Sequence, residues 1–313
     1  MDNTVVDKSA VVTCKRARRG RAWIQDVLVA HFIRLNGAVA IVAIILIFAF
    51  LLKDAIPLFK HISLWKFLSG SAWQPEFNIF GILPLLAGTF AVTLGAVVIA
   101  VPFGIAVAIY LAEIAPKTVR EILKPTIEVL AGIPSVVIGF IGLVIAAPFL
   151  QKIFNLPTGL CALTGSIMLA FMSMPTIISI AEDAIVAVPK SHRYGSLALG
   201  ATHWETISGV VVPSAKSGII AACMLGVGRA VGETMTVLMI TGNASNLPAG
   251  IKGIIPFFFG PVRTMTATIA SDMGETVQNS PHYFSLFAIG LTLFAITFVI
   301  NLVADVALRK VKH

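Results

Sequence analysis

Arg229 and Glu233 stand four residues apart in a run, 217–240, that is otherwise almost wholly apolar. On a continuous helix that spacing puts both side chains on one face. A charge at the centre of a bilayer costs about 2.5–3.5 kcal/mol on insertion scales, so the pair implies a partner or an aqueous cavity. Two chemistries fit. One is a mutual ion pair that fixes helix packing. The other is an anion path, in which the planar guanidinium attracts an oxyanion and the carboxylate competes for the same fork. No Ser/His/Asp, Cys/His or two-carboxylate constellation accompanies them at membrane depth, which argues against an enzyme. Glu182 and Asp183 are adjacent at the inner end of another apolar run, where solvation is expected. Cys14, Cys161 and Cys223 are odd in number and widely spaced, so they indicate neither a disulfide framework nor a metal site.

A second group lies in the segment V-P-K-S-H-R-Y-G-S-L-A-L-G-A-T-H-W-E-T-I-S-G-V-V-V-P, residues 188–213. Val188 and Pro189 mark a break, 196–199 read as one helix, Gly200 as a turn, and 202–208 as a second short helix carrying Trp204. Such a helix–glycine–helix projecting from a membrane is a docking element. Its candidate residues are Ser196, Gly200, Ala201, Thr202, His203, Trp204, Glu205 and Pro213. The chain contains no G-x-x-x-x-G-K-[ST] phosphate loop, so ATP hydrolysis, if used, falls to a partner, and no cofactor is expected on this chain.

The elements that must position these residues are membrane helices. Of 313 residues, 57% are hydrophobic and 12% charged, against roughly 45–50% and about 25% in soluble domains. Apolar runs predict spans at about 36–52, 81–111, 127–150, 159–181, 217–240 and 284–308, helical because unpaired backbone cannot face lipid. Pro102 could divide the second run. With six spans and both termini inside, 16 Lys/Arg fall on inner segments and 6 on outer ones, with Arg229 inside a span. Dividing the run reverses that bias, so one long helix is expected. The net charge of +8 is therefore membrane topology and not a nucleic-acid surface. The resulting organisation is a basic tail over 1–35, a first span, an outer loop over 53–80, a transmembrane domain over 81–308 with an inner loop over 182–216, and a tail over 309–313. The tail up to about Asp26 is expected to be solvated. Gly81, Gly88 and Gly95 recur every seven residues and offer a face for close helix approach. Short re-entrant or interfacial helices are expected within 241–283. Trp65, Trp73 and Tyr283 are expected at the outer interface.

The inner loop resembles the E-A-A loop of ABC importer permeases, in which three residues separate E-A-A from Gly and nine more precede Ile-x-Leu-Pro. Tyr194-Gly195-Ser196, Gly200, Val210, Val212 and Pro213 keep both spacings, with Tyr194 in the glutamate's place. The stretches F-G-I-L-P-L-L-A-G-T from Phe80, I-A-V-P-F-G-I-A-V-A-I-Y-L-A-E-I-A from Ile99, L-A-G-I-P-S-V-V-I-G-F from Leu130 and G-V-G-R-A-V-G-E-T-M from Gly226 are similar to phosphate-specific ABC importer permeases of the PstC type. That resemblance covers most of 80–241. It implies an all-α integral membrane protein with the type I ABC importer permease fold, multi-pass in a bacterial cytoplasmic membrane and in contact with lipid. It also implies a second homologous permease subunit, an ATP-binding subunit dimer that uses the ATP, and an extracytoplasmic phosphate-binding protein. Residues 200–208 would place a coupling helix in a groove of the ATPase. Arg229 and Glu233 match the arginine and glutamate implicated in transport. The alternatives are a permease for another oxyanion or an amino acid, and an ATP-independent channel or carrier.

Overall fold

The computed structural model describes residues 8–248, 250 and 253–311, and side chains between 27 and 306. The side chains of the basic residues from Lys8 to Arg21, Cys14, Lys252 and the tail 309–313 lie outside the described set. The chain divides into two units, Met1–Lys53 and Asp54–His313.

The described residues of the first unit belong to one helix. Helix α1 runs over Lys8–Ala55, its last residues falling in the second unit, so the segment expected as a tail is helical from Lys8. At about 1.5 Å per residue it exceeds the roughly 30 Å hydrocarbon core twofold. Its apolar part starts near Val27, and side chains such as Phe32, Ile41 and Ile45 are exposed.

The second unit opens with a small motif within the segment 53–80. A 3-10 turn at Ile56–Lys60 leads to α2 (Leu64–Ser69) and to an antiparallel pair, β1 (Trp73–Gln74) and β2 (Ile79–Phe80), with Trp73 opposite Phe80. Apolar patterning gave no sign of this hairpin, because each strand is only two residues long. Trp65 is exposed, but Trp73 is buried: its ring lies 5.7 Å from that of Phe80 and 6.3 Å from that of His282. The pairing of the strands sets Trp73 against Phe80 and packs it inside the protein.

Helix α3 (Leu83–Ile109) runs through Pro102 without a break and ends in a π turn at Tyr110–Ile114, so the second apolar run is one span. The third run behaves differently. Helix α4 (Lys117–Ala131) stops at Gly132, and a new apolar stretch of α5 (Ser135–Ile141), a π turn and α6 (Ala147–Phe154) begins beyond Pro134. Pro134 disfavours helix at the residue before it, which sets that boundary. Helix α7 (Ala162–Val186) follows. The inner loop holds α8 (Lys190–Ala198), α9 (His203–Thr206), a π turn and α10 (Val212–Ser214).

The fifth run, expected as one helix, is broken. Helix α11 (Lys216–Gly232) ends before Glu233, and α12 (Met235–Ile240) starts after Thr234. Short helices α13 (Ile254–Phe259) and α14 (Met265–Asp272) occupy the outer segment, as expected, and α15 (Pro281–Val311) is the last. Among the described residues five stretches are long and apolar enough to cross a membrane. The segment His203–Ser214 together with α11, bent by 69°, would make a sixth.

Helices α3, α7 and α11 pack through small residues, with Ala96, Ala100, Ala170, Ile177 and Ala230 in one buried cluster and Ala108, Ala181, Ile185 and Ala222 in a second. Lipid tails give apolar helices no hydrophobic reason to associate, so close backbone approach supplies the van der Waals attraction. Of Gly81, Gly88 and Gly95 only Gly95 belongs to this seam, a β-carbon there standing 2.4 Å from Ser166 Oγ of α7; Gly88 faces the Arg263 backbone, and Gly81 precedes the helix and meets Gly70. A β-carbon on Gly88 would stand 2.3 Å from the Arg263 carbonyl oxygen. Gly88→Val should therefore cost about 1–3 kcal/mol and lower the melting temperature in detergent. Gly37→Ala, which meets nothing within 4 Å, should melt like the parent. Equal melting of the valine variant and the parent would refute this packing.

Candidate functional site

The two chain breaks meet in space. Arg229 lies in the last turn of α11, where a cation is favoured by the helix dipole. Its Nη1 donates to Thr176 Oγ1 of α7 at 2.9 Å, and its Nη2 donates to the carbonyl of Ala131, the last residue of α4, at 3.2 Å. Beside it, Thr236 Oγ1 of α12 donates to the Ser135 carbonyl at the start of α5 at 3.0 Å. The segments L-A-G-I-P-S and G-R-A-V-G-E-T, about a hundred residues apart in the chain, thus form one junction.

Arg229 and Glu233 do not form the ion pair that helical spacing suggests. Because α11 stops at Gly232, the carboxylate of Glu233 turns to the start of α12, accepting a hydrogen bond from the Thr236 N–H at 3.2 Å. The Glu233 carbonyl accepts from Thr266 Oγ1 of α14 at 2.8 Å, and the residue is only 8% exposed. Among the described residues no carboxylate lies within ion-pair distance of Arg229. Arg229 is half-buried and borders a partly open cleft of about 290 Å³ between α11 and α15, lined also by Thr297 and Asn301. A guanidinium held by two neutral acceptors keeps its charge available to an anion.

The inner loop is a helix–turn–helix. Helix α8 is longer than expected and ends near Gly200, whose φ of +89° suits glycine. Thr202 caps α9 in a reciprocal box: its hydroxyl accepts from the Glu205 N–H, and Glu205 Oε2 accepts from the Thr202 N–H at 2.8 Å. Hydrogen bonds from the Thr202 backbone and then its hydroxyl hold the Glu205 carboxyl below the usual carboxylate range. Ser196 Oγ reaches Thr206 Oγ1 at 3.0 Å and ties the two helices together. Leu199 is 91% exposed and Trp204 66% exposed, with Ala201 and His203 beside them. Pro213 is the second residue of the α10 turn that leads into α11.

Charged clusters escaped the sequence reading, and two of them hold α4 and α8. Glu182, expected to be solvated, is 1% exposed and bonded to both Arg120 and Lys124 of α4, while Lys124 also donates to Asp183 Oδ1 at 2.7 Å. The basic pair four apart on α4 was the available signal, although its partners lie about sixty residues away. Arg193 of α8 pairs with Glu113 at 2.6 Å. The described residues contain no group of three His, Cys, Asp or Glu side chains placed to hold a metal ion.

Membrane helices around a broken junction, with a helix–turn–helix between two of them, define a polytopic membrane protein. The family described as binding-protein-dependent transport system inner membrane component matches residues 100–313, and the chain belongs to that family. It is 42% identical over 236 residues to the probable ABC transporter permease protein YqgH of Bacillus subtilis, across 75% of this chain and 74% of that one. It is 36% identical over 266 residues to the phosphate transport system permease protein PstC of Mesorhizobium japonicum, across 79% of each. The methionine ABC transporter MetNI in an inward-facing conformation matches with a TM-score of 0.54 at 20% identity, over 77% of this chain and 99% of that one. The fold is that of type I ABC importer permeases, and the chain is a multi-pass transport component of the cytoplasmic membrane.

The Lys124 cluster has a pH signature. Burial acts to lower the Lys124 pKa, but hydrogen bonds and attraction from Asp183 and Glu182 outweigh it and hold the value above the ordinary one. The cluster's contribution is therefore complete below the unfolded lysine value, near 10.5, and lost as pH rises through the higher folded value. Thermal unfolding in detergent should show the parent losing stability from about pH 10.5 upward. The Glu182→Gln, Asp183→Asn double variant should start lower and lose less across the same range. Parallel curves would remove this role for Lys124.

Proposed function

We propose that this chain is the permease subunit of an ATP-driven importer of inorganic phosphate, and that Arg229 is the transient partner of the phosphate oxyanion. The observation that carries the reading is the Arg229 guanidinium, set in an apolar stretch and held, among the described residues, by a threonine hydroxyl and a backbone carbonyl. An anion path needs attraction strong enough to admit its cargo and weak enough to release it. Neutral acceptors satisfy the cation between passages without neutralising it. Glu233 serves a different purpose from the counter-ion that spacing suggested: it fixes the start of α12 and so the floor of the junction. The name of the Mesorhizobium relative, a phosphate transport system permease protein, supports phosphate over other oxyanions.

The remaining parts of the machine follow from the same reading. Both termini and the 190–216 segment face the cytoplasm, as the Lys/Arg bias requires. The exposed Leu199 and Trp204 dock on an ATP-binding subunit dimer, which hydrolyses the ATP. The path is completed by a second homologous permease subunit, and an extracytoplasmic phosphate-binding protein delivers the ligand.

Arg229→Gln should abolish most phosphate uptake while membrane abundance and assembly with the ATPase stay near the parent's. Arg229→Lys keeps the charge but loses the planar fork, so it should recover only a minor part. Uptake of labelled phosphate and sulfate, normalised to membrane abundance, checks both. A variant whose uptake loss merely tracks lost abundance would assign Arg229 to packing.

Replacing Gly200 by Val should strain a turn that needs positive φ and lower substrate-stimulated ATP hydrolysis by the complex severalfold. Unchanged stimulation with unchanged assembly would show that the loop does not couple.

A further inference from the structure

Arg193 sits on the less exposed face of α8, with Ser196 and Leu197, and is only partly exposed. Its guanidinium makes five contacts at once. Nε donates to both Glu113 oxygens, at 3.1 and 3.3 Å, and Nη2 donates to Glu113 Oε1 at 2.6 Å. Nη2 also donates to the Ile185 carbonyl at 2.9 Å, and Nη1 donates to the Val188 carbonyl. Ile185 lies in the last turn of α7, where its carbonyl also accepts from the Val188 N–H at 3.2 Å, and Val188 lies just beyond the helix. Glu113 lies in the π turn that ends the α3 span. One side chain of the inner loop is thus bonded to the inner ends of α3 and α7.

The surroundings make this the mechanical joint of the loop. Residues 187–189 between α7 and α8 close with Pro189, and the α9–π turn region reaches the core through Ile207 and Val211. Beyond α8 the chain is held by the Ser196–Thr206 hydroxyl contact and the capping box, both of which act within the loop. Arg193 is the charged group that links the loop to the spans among the described ion pairs. The planar fork of arginine matters here, because lysine could serve the carboxylate or the carbonyls but not both sets together.

We propose that Arg193, oriented by Glu113, is a positioning residue that transmits motion of the ATPase-docked loop to α3 and α7. This rests on the coupling reading above. Since α7 also carries Thr176, the Arg229 partner, a displacement of α8 relayed through Arg193 reaches the anion junction along one helix.

The test uses the full transporter in liposomes with its phosphate-binding protein, comparing Arg193→Gln, Arg193→Lys and Glu113→Gln with the parent. Basal ATP hydrolysis and hydrolysis stimulated by the phosphate-loaded binding protein are measured per assembled complex. The expected result is assembly and basal hydrolysis within twofold of the parent, with stimulation reduced at least fivefold for Arg193→Gln and Glu113→Gln and by an intermediate amount for Arg193→Lys. A merely structural bond would lower abundance and leave the stimulated-to-basal ratio per complex unchanged, and that result overturns the proposal. If Arg193→Gln does not accumulate, Glu113→Gln, which keeps shape and an acceptor oxygen, decides by the same ratio. Gly200→Val in parallel separates the two readings. Loss of stimulation there with a normal ratio in the Arg193 and Glu113 variants rejects Arg193 alone, whereas normal ratios in all of them reject coupling through this loop.

Discussion

A guanidinium inside an apolar stretch must find hydrogen-bond acceptors, and the architecture around Arg229 supplies them without a carboxylate among the described residues. The acceptors are a threonine hydroxyl and the carbonyl that ends α4. A free carbonyl at that place requires α4 to stop, which Gly132 and Pro134 ensure. Bringing it to Arg229 requires the α4–α5 break and the α11–α12 break to lie together. Gly139 permits this, since a β-carbon there would stand 2.9 Å from Met239 Sδ and 3.1 Å from Thr236 Cα.

Helix α7 is the member through which the parts communicate. It packs on α3 and α11 through small residues, presents Thr176 to Arg229, and ends in carbonyls held by Arg193. Glu182, in its last two turns, anchors α4 through Arg120 and Lys124. The helix that ends at Ala131 is thereby tied to the helix that carries Thr176, so both acceptors of Arg229 belong to one braced pair. Burying Glu182 away from its bases would leave an uncompensated charge, a cost of roughly 3–5 kcal/mol for such pairs. Its two bases are about a third exposed, which reduces that figure.

The spans were legible because apolar length is a one-dimensional property. Arg229 was legible because a charge in such a run has few explanations, and Gly200 because its spacing to Pro213 matches a known loop. The breaks were not. Ile127, Val129 and Leu130 extend the apolar count of the third run backward, although they belong to an amphipathic helix before Pro134. Gly232-Glu233-Thr234 reads as continuous helix because nothing local forbids it; the turn is stabilised by Thr266, more than thirty residues away. Glu182 looked solvated at a span end because its bases lie on another helix. Arg193 and Glu113 are eighty residues apart and carried no signal of their contact.

On this account the Arg229 junction receives the anion. Thr176→Cys, in a chain with Cys14, Cys161 and Cys223 replaced, places a thiol at the guanidinium's own partner. In the reconstituted complex during ATP turnover, a sulfonate-bearing thiol reagent should modify this cysteine. Loaded phosphate-binding protein should slow modification severalfold, and sulfate at equal concentration should leave the rate unchanged. A cysteine that resists the anionic reagent, or reacts at one rate with and without phosphate, would contradict the account.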